Sequence, residues 1–218
     1  MTYSGFSLQT AVDQFNIEYL GTRSVFPKVL PSLPPTAKEA LNLLTLQLER
    51  DVDMARRTPS EKAKSEFVIA PVLATLRQIH TIGVHSGVSF DVSVEENLRG
   101  ACDFLITLSE ELEIIRAPVL VIVEAMRSIM SEGLGQCLAE MIAAQRFNQK
   151  ANLPPLPVFG CITNGFAWRF LQLSERTVFG DSAVEYSLMP ISELMQRLYY
   201  TVANNRYGTT ETVVPIAT

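Results

Sequence analysis

The sequence predicts an α/β protein with a central mixed β-sheet flanked by helices on both faces. Three observations predict it. VLVIVEA (119–125) is apolar on both faces, the pattern of a strand in the middle of a sheet rather than at its edge. ACDFLITL (101–108), after Gly100, and PLPVFGCITNG (155–165) supply strands before and after it. Between the last two lies SEGLGQCLAEMIAAQRFNQK (131–150), whose turns are marked by Leu138, Met141, Ile142 and Ala144 at helical spacing. A strand, a long helix and a second strand in that order predict one right-handed crossover between parallel neighbours.

The remaining elements follow in chain order. PKVLPSLPP (27–35) is an extended, proline-fixed connector. TAKEALNLLTLQLERDVDMARR places Ala40, Leu41, Leu44, Leu48 and Val52 on one helical face, and that helix stops before Pro59. TPSE (58–61) reads as a capping box, with Thr58 as the cap, Pro59 in the first helical position and Glu61 in the third. The helix it opens extends to about Gln78, and Pro71 predicts a kink or break within it. VSFDVSV (88–94) alternates as a strand does. FAWRFLQL (166–173) is a further strand, joined to its predecessor through the turn dipeptide Asn164-Gly165. ISELMQRLYYTVANN (191–205) predicts a last helix with Pro190 at its start, and the tail past Tyr207 is polar and loose. The predicted order is α-α-β-β-β-α-β-β-α. It is organised as a single globular domain, with residues 1–57 as an N-terminal extension carrying a helix and residues 58–218 as the core.

Composition sets bounds on function. A chain of 218 residues that is 47% hydrophobic can bury a full core and is not disordered. No apolar run reaches the roughly 18–20 residues that span a bilayer. The N-terminus lacks a basic segment followed by an apolar core, so the expected location is cytoplasmic with no membrane partner. Cys102, Cys137 and Cys161 are odd in number and form no CxxC pair, and His80 and His85 are near none of them. Reduced, buried thiols are therefore expected rather than a zinc site or disulfides. The net charge of −5 weighs against tight nonspecific DNA binding, which draws on a surplus of Lys and Arg.

Against this background two carboxylates are out of place. Strand alternation puts Leu120, Ile122, Glu124 and Met126 on one face of VLVIVEAM, and Asp103 stands alone among the apolar residues of ACDFLI. Two acids on adjacent apolar strands repel unless a cation lies between them, and hard oxygen ligands of this kind suit Mg²⁺ or Mn²⁺. Solvation at strand ends is the simpler account of either acid alone. Glu66, on the second helix, adds a third carboxylate. A surface pair with Lys62 accounts for it as well as a role at the site does.

The succession of a helix with Glu66, then GACDFLI, then the apolar strand ending in Val123-Glu124-Ala125, then GLGQCLAEM, then GCITNGFAWRF resembles the PD-(D/E)XK nuclease superfamily, the restriction-endonuclease-like fold. The TNGFAWRF hairpin is similar to that of type I restriction nuclease domains and their stand-alone relatives. The resemblance covers roughly residues 58–175. It implies Mg²⁺- or Mn²⁺-dependent hydrolysis of nucleic-acid phosphodiesters, with DNA as the expected partner. Asp103 and Glu124 would be metal ligands, Glu66 would support the metal, and Gln136 would line the site. A homodimer is a further arrangement it leaves open, and residues 1–57 could serve as a dimerisation arm or a lid.

Met126 departs from the pattern, which calls for lysine two residues after the glutamate. There an ammonium would orient and acidify the attacking water; a thioether supplies neither proton nor charge. Arg127 is expected on the opposite face, and Lys62 and Arg99 are the candidate substitutes. An alternative therefore stands beside the enzyme: a non-catalytic binding or assembly protein that keeps the fold without the chemistry. Trp168 could stack on a base but is more economically a core residue. GLG (133–135) lacks the GK[ST] of a phosphate loop, and no GxSxG or Cys–His nucleophile pattern is present.

Overall fold

The computed structural model describes residues 2–126, 130–180 and 184–203. Arg127 and the C-terminal tail past Tyr207 lie outside the described residues. The elements are helix α1 (Leu8–Phe15), strand β1 (Glu18–Leu20), α2 (Ala37–Arg57), α3 (Glu61–Lys64), a π-helical turn (Ser65–Ile69), α4 (Ala70–Ile79), β2 (Gly83–Ser89), β3 (Ala101–Thr107), β4 (Val119–Ala125), α5 (Leu134–Lys150), β5 (Val158–Thr163), β6 (Ala167–Ser174), β7 (Thr177–Gly180), β8 (Tyr186–Ser187) and α6 (Ile191–Ala203).

The strands form one mixed sheet in the order β1-β7-β6-β5-β4-β3-β2, with β8 also paired to β6. β4 is central and buried along its whole length. It runs antiparallel to β3 and parallel to β5, and α5 crosses between β4 and β5. One face of the sheet packs against α2, α4 and α6, with Leu44, Leu73, Trp168 and Leu198 in its core. The other packs against α1 and α5, around Leu105, Ile122, Leu138 and Met141. The expectation of a mixed sheet flanked by helices on both faces is met.

Several local expectations shift. Thr58 does not cap the second helix. Its hydroxyl donates back to Met54 O and closes α2, and Ser60 is the cap, accepting from Ala63 N. Pro71 does not break the helix; the chain widens ahead of it. A proline has no N–H for the carbonyl four residues back, and the amide of Ala70 reaches five residues back, to Ser65 O. The predicted strand at 88–94 lies earlier, as β2, and residues 90–100 form a narrow loop closed by Ser93 and Leu98. The β3–β4 register slips between Ile106 and Thr107 of β3, with Leu120 the extra residue of β4, so Leu120 packs with Val121 in the first core instead of sharing a face with Ile122. Residues 8–20 are integral to the fold: β1 pairs with β7, and α1 lies on α5.

The two glycines of GLG are explained by close approach. A Cβ on Gly135 would lie 2.3 Å from Phe6 O, and one on Gly133 would lie 2.7 Å from Met126 Sδ. No helix among the described residues is long and apolar enough to cross a membrane.

Candidate functional site

β3 and β4 are paired as far as Phe104 and Val123, and the next residues outward are Asp103 and Glu124. The two strands part here. β4 stays paired with β5 through Glu124 and Ala125. On its other edge, the amide of Ala125 donates to Asp103 Oδ2 at 2.8 Å. A side-chain carboxylate thus satisfies a ladder donor that a backbone carbonyl would otherwise take. Asp103 and Glu124 thus occupy neighbouring positions just beyond the last β3–β4 pair, near enough for each carboxyl to perturb the other.

α5 covers the far side of Glu124. Its C-terminal end is tied to the start of β4 by Asn148, which accepts from Val119 N and donates to Val119 O, both at 2.8 Å. Its N-terminal end is tied to the end of β4 by Gln136, whose Nε2 donates to Glu124 Oε1. The same nitrogen donates to Glu140 Oε1 at 3.1 Å. Glu140 is fully buried and Glu124 only 5% exposed. The Oε2 atoms of both are buried with no hydrogen-bond partner. Sequence reasoning passed over Glu140. The available signal was an acid inside the apolar LAEM stretch, one turn after Gln136.

Glu66 reaches the same region from the other side. An exposed cleft is lined by Lys62, Glu66, Ser86, Asp103 and Ala125. The π-helical turn holds Glu66 at its rim in water, and Lys62 Nζ stands 3.7 Å from Glu66 Oε1. The surface pair with Lys62 is present, and Glu66 also borders the cleft that Asp103 lines. Among the described residues, Asp103, Glu124 and Glu140 form no ion pair with any lysine or arginine. Arg99, the other candidate substitute, keeps its Nε buried without a partner.

The electrostatics follow from this inventory. Burial pushes the Glu124 carboxyl far above the ordinary carboxylate range, and the neighbouring charges of Glu140 and Asp103 push it further. Burial also raises Glu140, eased by its hydrogen bonds to Glu124 and Gln136. Asp103 is raised by burial, with the Ala125 amide pulling the other way. Neighbouring buried carboxyls share protons unless a counter-ion is taken up. The hard oxygens of Asp103 and Glu124, with Glu124 Oε2 free of a hydrogen-bond partner, are of the kind that would suit Mg²⁺ or Mn²⁺. Among the described residues no three Asp, Glu, His or Cys side chains are arranged to hold an ion by themselves. Water or a phosphate oxygen would therefore have to complete the coordination.

The other sequence candidates fall away from the site. Trp168 is fully buried and donates to Gly165 O, which makes it a core residue. His85 is buried in β2, where burial lowers its pKa. His80 ends α4 and packs edge-on against Tyr199. The three cysteines are buried and free. Met126 is half-buried, with its thioether laid against Gly133. No family model matches this sequence, and no curated protein matches it.

Proposed function

We infer that the chain carries a PD-(D/E)XK-type, restriction-endonuclease-like core in which Asp103 and Glu124 hold a Mg²⁺ or Mn²⁺ ion, Glu66 supports it from the cleft rim and Gln136 lines the site. The substrate class is a nucleic-acid phosphodiester, with DNA the expected polymer. The observation that supports the reading is that Asp103 and Glu124 flank the point where β3 and β4 part, and that among the described residues neither forms an ion pair with a lysine or arginine. The order of α3–α4, β3, β4, α5 and the β5–β6 hairpin supports it, because it is the order in which the resembling motifs occur.

A bound divalent ion would polarise a phosphoryl oxygen and lower the pKa of a coordinated water. The chain's own residues do the rest. Asp103 is held by the Ala125 amide, and Glu124 by Gln136. Lys62, already on the cleft, is the cation placed to offset charge on a phosphate.

A second reading has its own observation. Met126 fills the position of the missing lysine and packs on Gly133 with no charge to offer. That favours a non-catalytic nuclease-fold protein that binds or assembles without cutting. A cleavage assay with Mg²⁺ or Mn²⁺ on DNA separates the two. Cutting by the native chain that is abolished in Asp103→Ala supports the enzyme. Cutting only in Met126→Lys supports the non-catalytic protein. If neither protein cuts or binds the ion, the site assignment fails.

A further inference from the structure

Gln136 has a single amide nitrogen and uses it twice, toward Glu124 Oε1 and toward Glu140 Oε1. An amide NH₂ has two N–H groups diverging in one plane, so two acceptors fix its rotation about the last side-chain bond. Turning the amide over would set its oxygen against the same two carboxyl oxygens, which is unfavourable whenever these are ionised, as they are around a bound cation. Glu140 therefore decides where Gln136 points. Gln136 in turn decides which oxygen of Glu124 is taken, leaving Oε2 buried without a hydrogen-bond partner. An apolar residue at position 140 would fill the same core at lower cost than a buried carboxyl.

We propose that Glu140 is a positioning residue for the metal ligand Glu124: acting through Gln136, it holds Glu124 so that one carboxyl oxygen stays available to a divalent cation. The proposal rests on Asp103 and Glu124 being ligands, and it assigns to Glu140 no contact with the ion itself.

The test is Mn²⁺ titration of the full chain, followed by electron paramagnetic resonance, beside thermal melts without metal. Wild type, Glu140→Gln and Glu140→Leu are compared. Glu140→Gln keeps an acceptor oxygen for Gln136 and is expected to bind Mn²⁺ close to the wild-type affinity. Glu140→Leu is expected to lose about 10–100-fold in Mn²⁺ affinity, the usual effect of removing an outer partner of a ligand. It should still melt no lower than wild type, because a buried acid has gone. Affinity and stability moving apart is the signature a purely structural role would not give. Should Glu140→Leu fail to fold, Gln136→Met breaks the same relay in its middle and must show the same loss. Wild-type affinity in Glu140→Leu or Gln136→Met overturns the proposal. So does a loss in Glu140→Gln as large as in Glu140→Leu, since charge rather than an acceptor would then be needed. Absence of Mn²⁺ binding by the wild type removes the metal-site reading and this inference with it, whereas binding that is insensitive to position 140 removes this inference alone.

Discussion

The two sides of the β3–β4 seam hold carboxylates under opposite conditions. On the α3 side Glu66 is in water, paired with Lys62 at 3.7 Å, on a cleft it shares with half-buried Asp103. On the α5 side Glu124 and Glu140 are buried and share the neutral amide of Gln136 as a donor. Residue type is the same and the chemistry differs. On the first side solvent and a lysine surround Glu66. The second stays charged only if a cation enters, and otherwise it holds protons. The buried side is therefore where pH should act most strongly, and an ion shared between Glu124 and Asp103 should relieve it.

The largest expected effect comes from supplying the buried side with the charge it lacks. Met126→Lys should raise Mn²⁺-dependent DNA cleavage by about 10²–10⁴-fold, the usual contribution of such a group, measured as initial rates against the native chain. Next is Gln136→Leu, which leaves the Glu124 and Glu140 oxygens without their donor. A loss of about 1–3 kcal/mol for each buried acceptor left unpaired is expected in urea unfolding without metal.

A pH titration of stability sharpens the contrast. The raised carboxyls of Glu124, Glu140 and Asp103 bind protons more tightly folded than unfolded. Their contribution is fully present below the unfolded carboxylate pKa and is lost as pH rises through the folded values. Metal-free stability should thus decline from about pH 5 upward, and Mn²⁺ should reduce the decline. His85 runs the other way: its lowered pKa costs stability only as pH falls below the ordinary histidine value. The smallest effect is Lys62→Ala. An exposed i,i+4 pair is worth about 0.3–0.5 kcal/mol, so melting should shift by little and the pH profile of stability should keep its shape.

How far the sequence discloses this depends on how each feature is encoded. β4 reads directly because a strand covered on both faces is an unbroken apolar run, and its bounds match. α2 reads from its 3.6 periodicity. Asp103 and Glu124 stand out because each is an acid in an apolar strand. β2 was displaced because GVHSGVS, with Gly87 at φ 62, has little alternation, while VSFDVSV has it by chance in a loop. β1, β7 and β8 are too short to show a period, and β1 depends on pairing with β7, far along the chain. Glu140 stayed hidden for another reason: on a helix an acid is unremarkable until its face is known to be covered, and that knowledge comes only from packing.

The central claim is that Asp103 and Glu124 share one divalent ion. It is tested most directly by counting Mn²⁺ bound per chain in the wild type, Asp103→Asn and Glu124→Gln. One ion in the wild type, lost in both variants while each still melts cooperatively, is the result expected. No bound ion in the wild type, or undiminished binding in both variants, would contradict it.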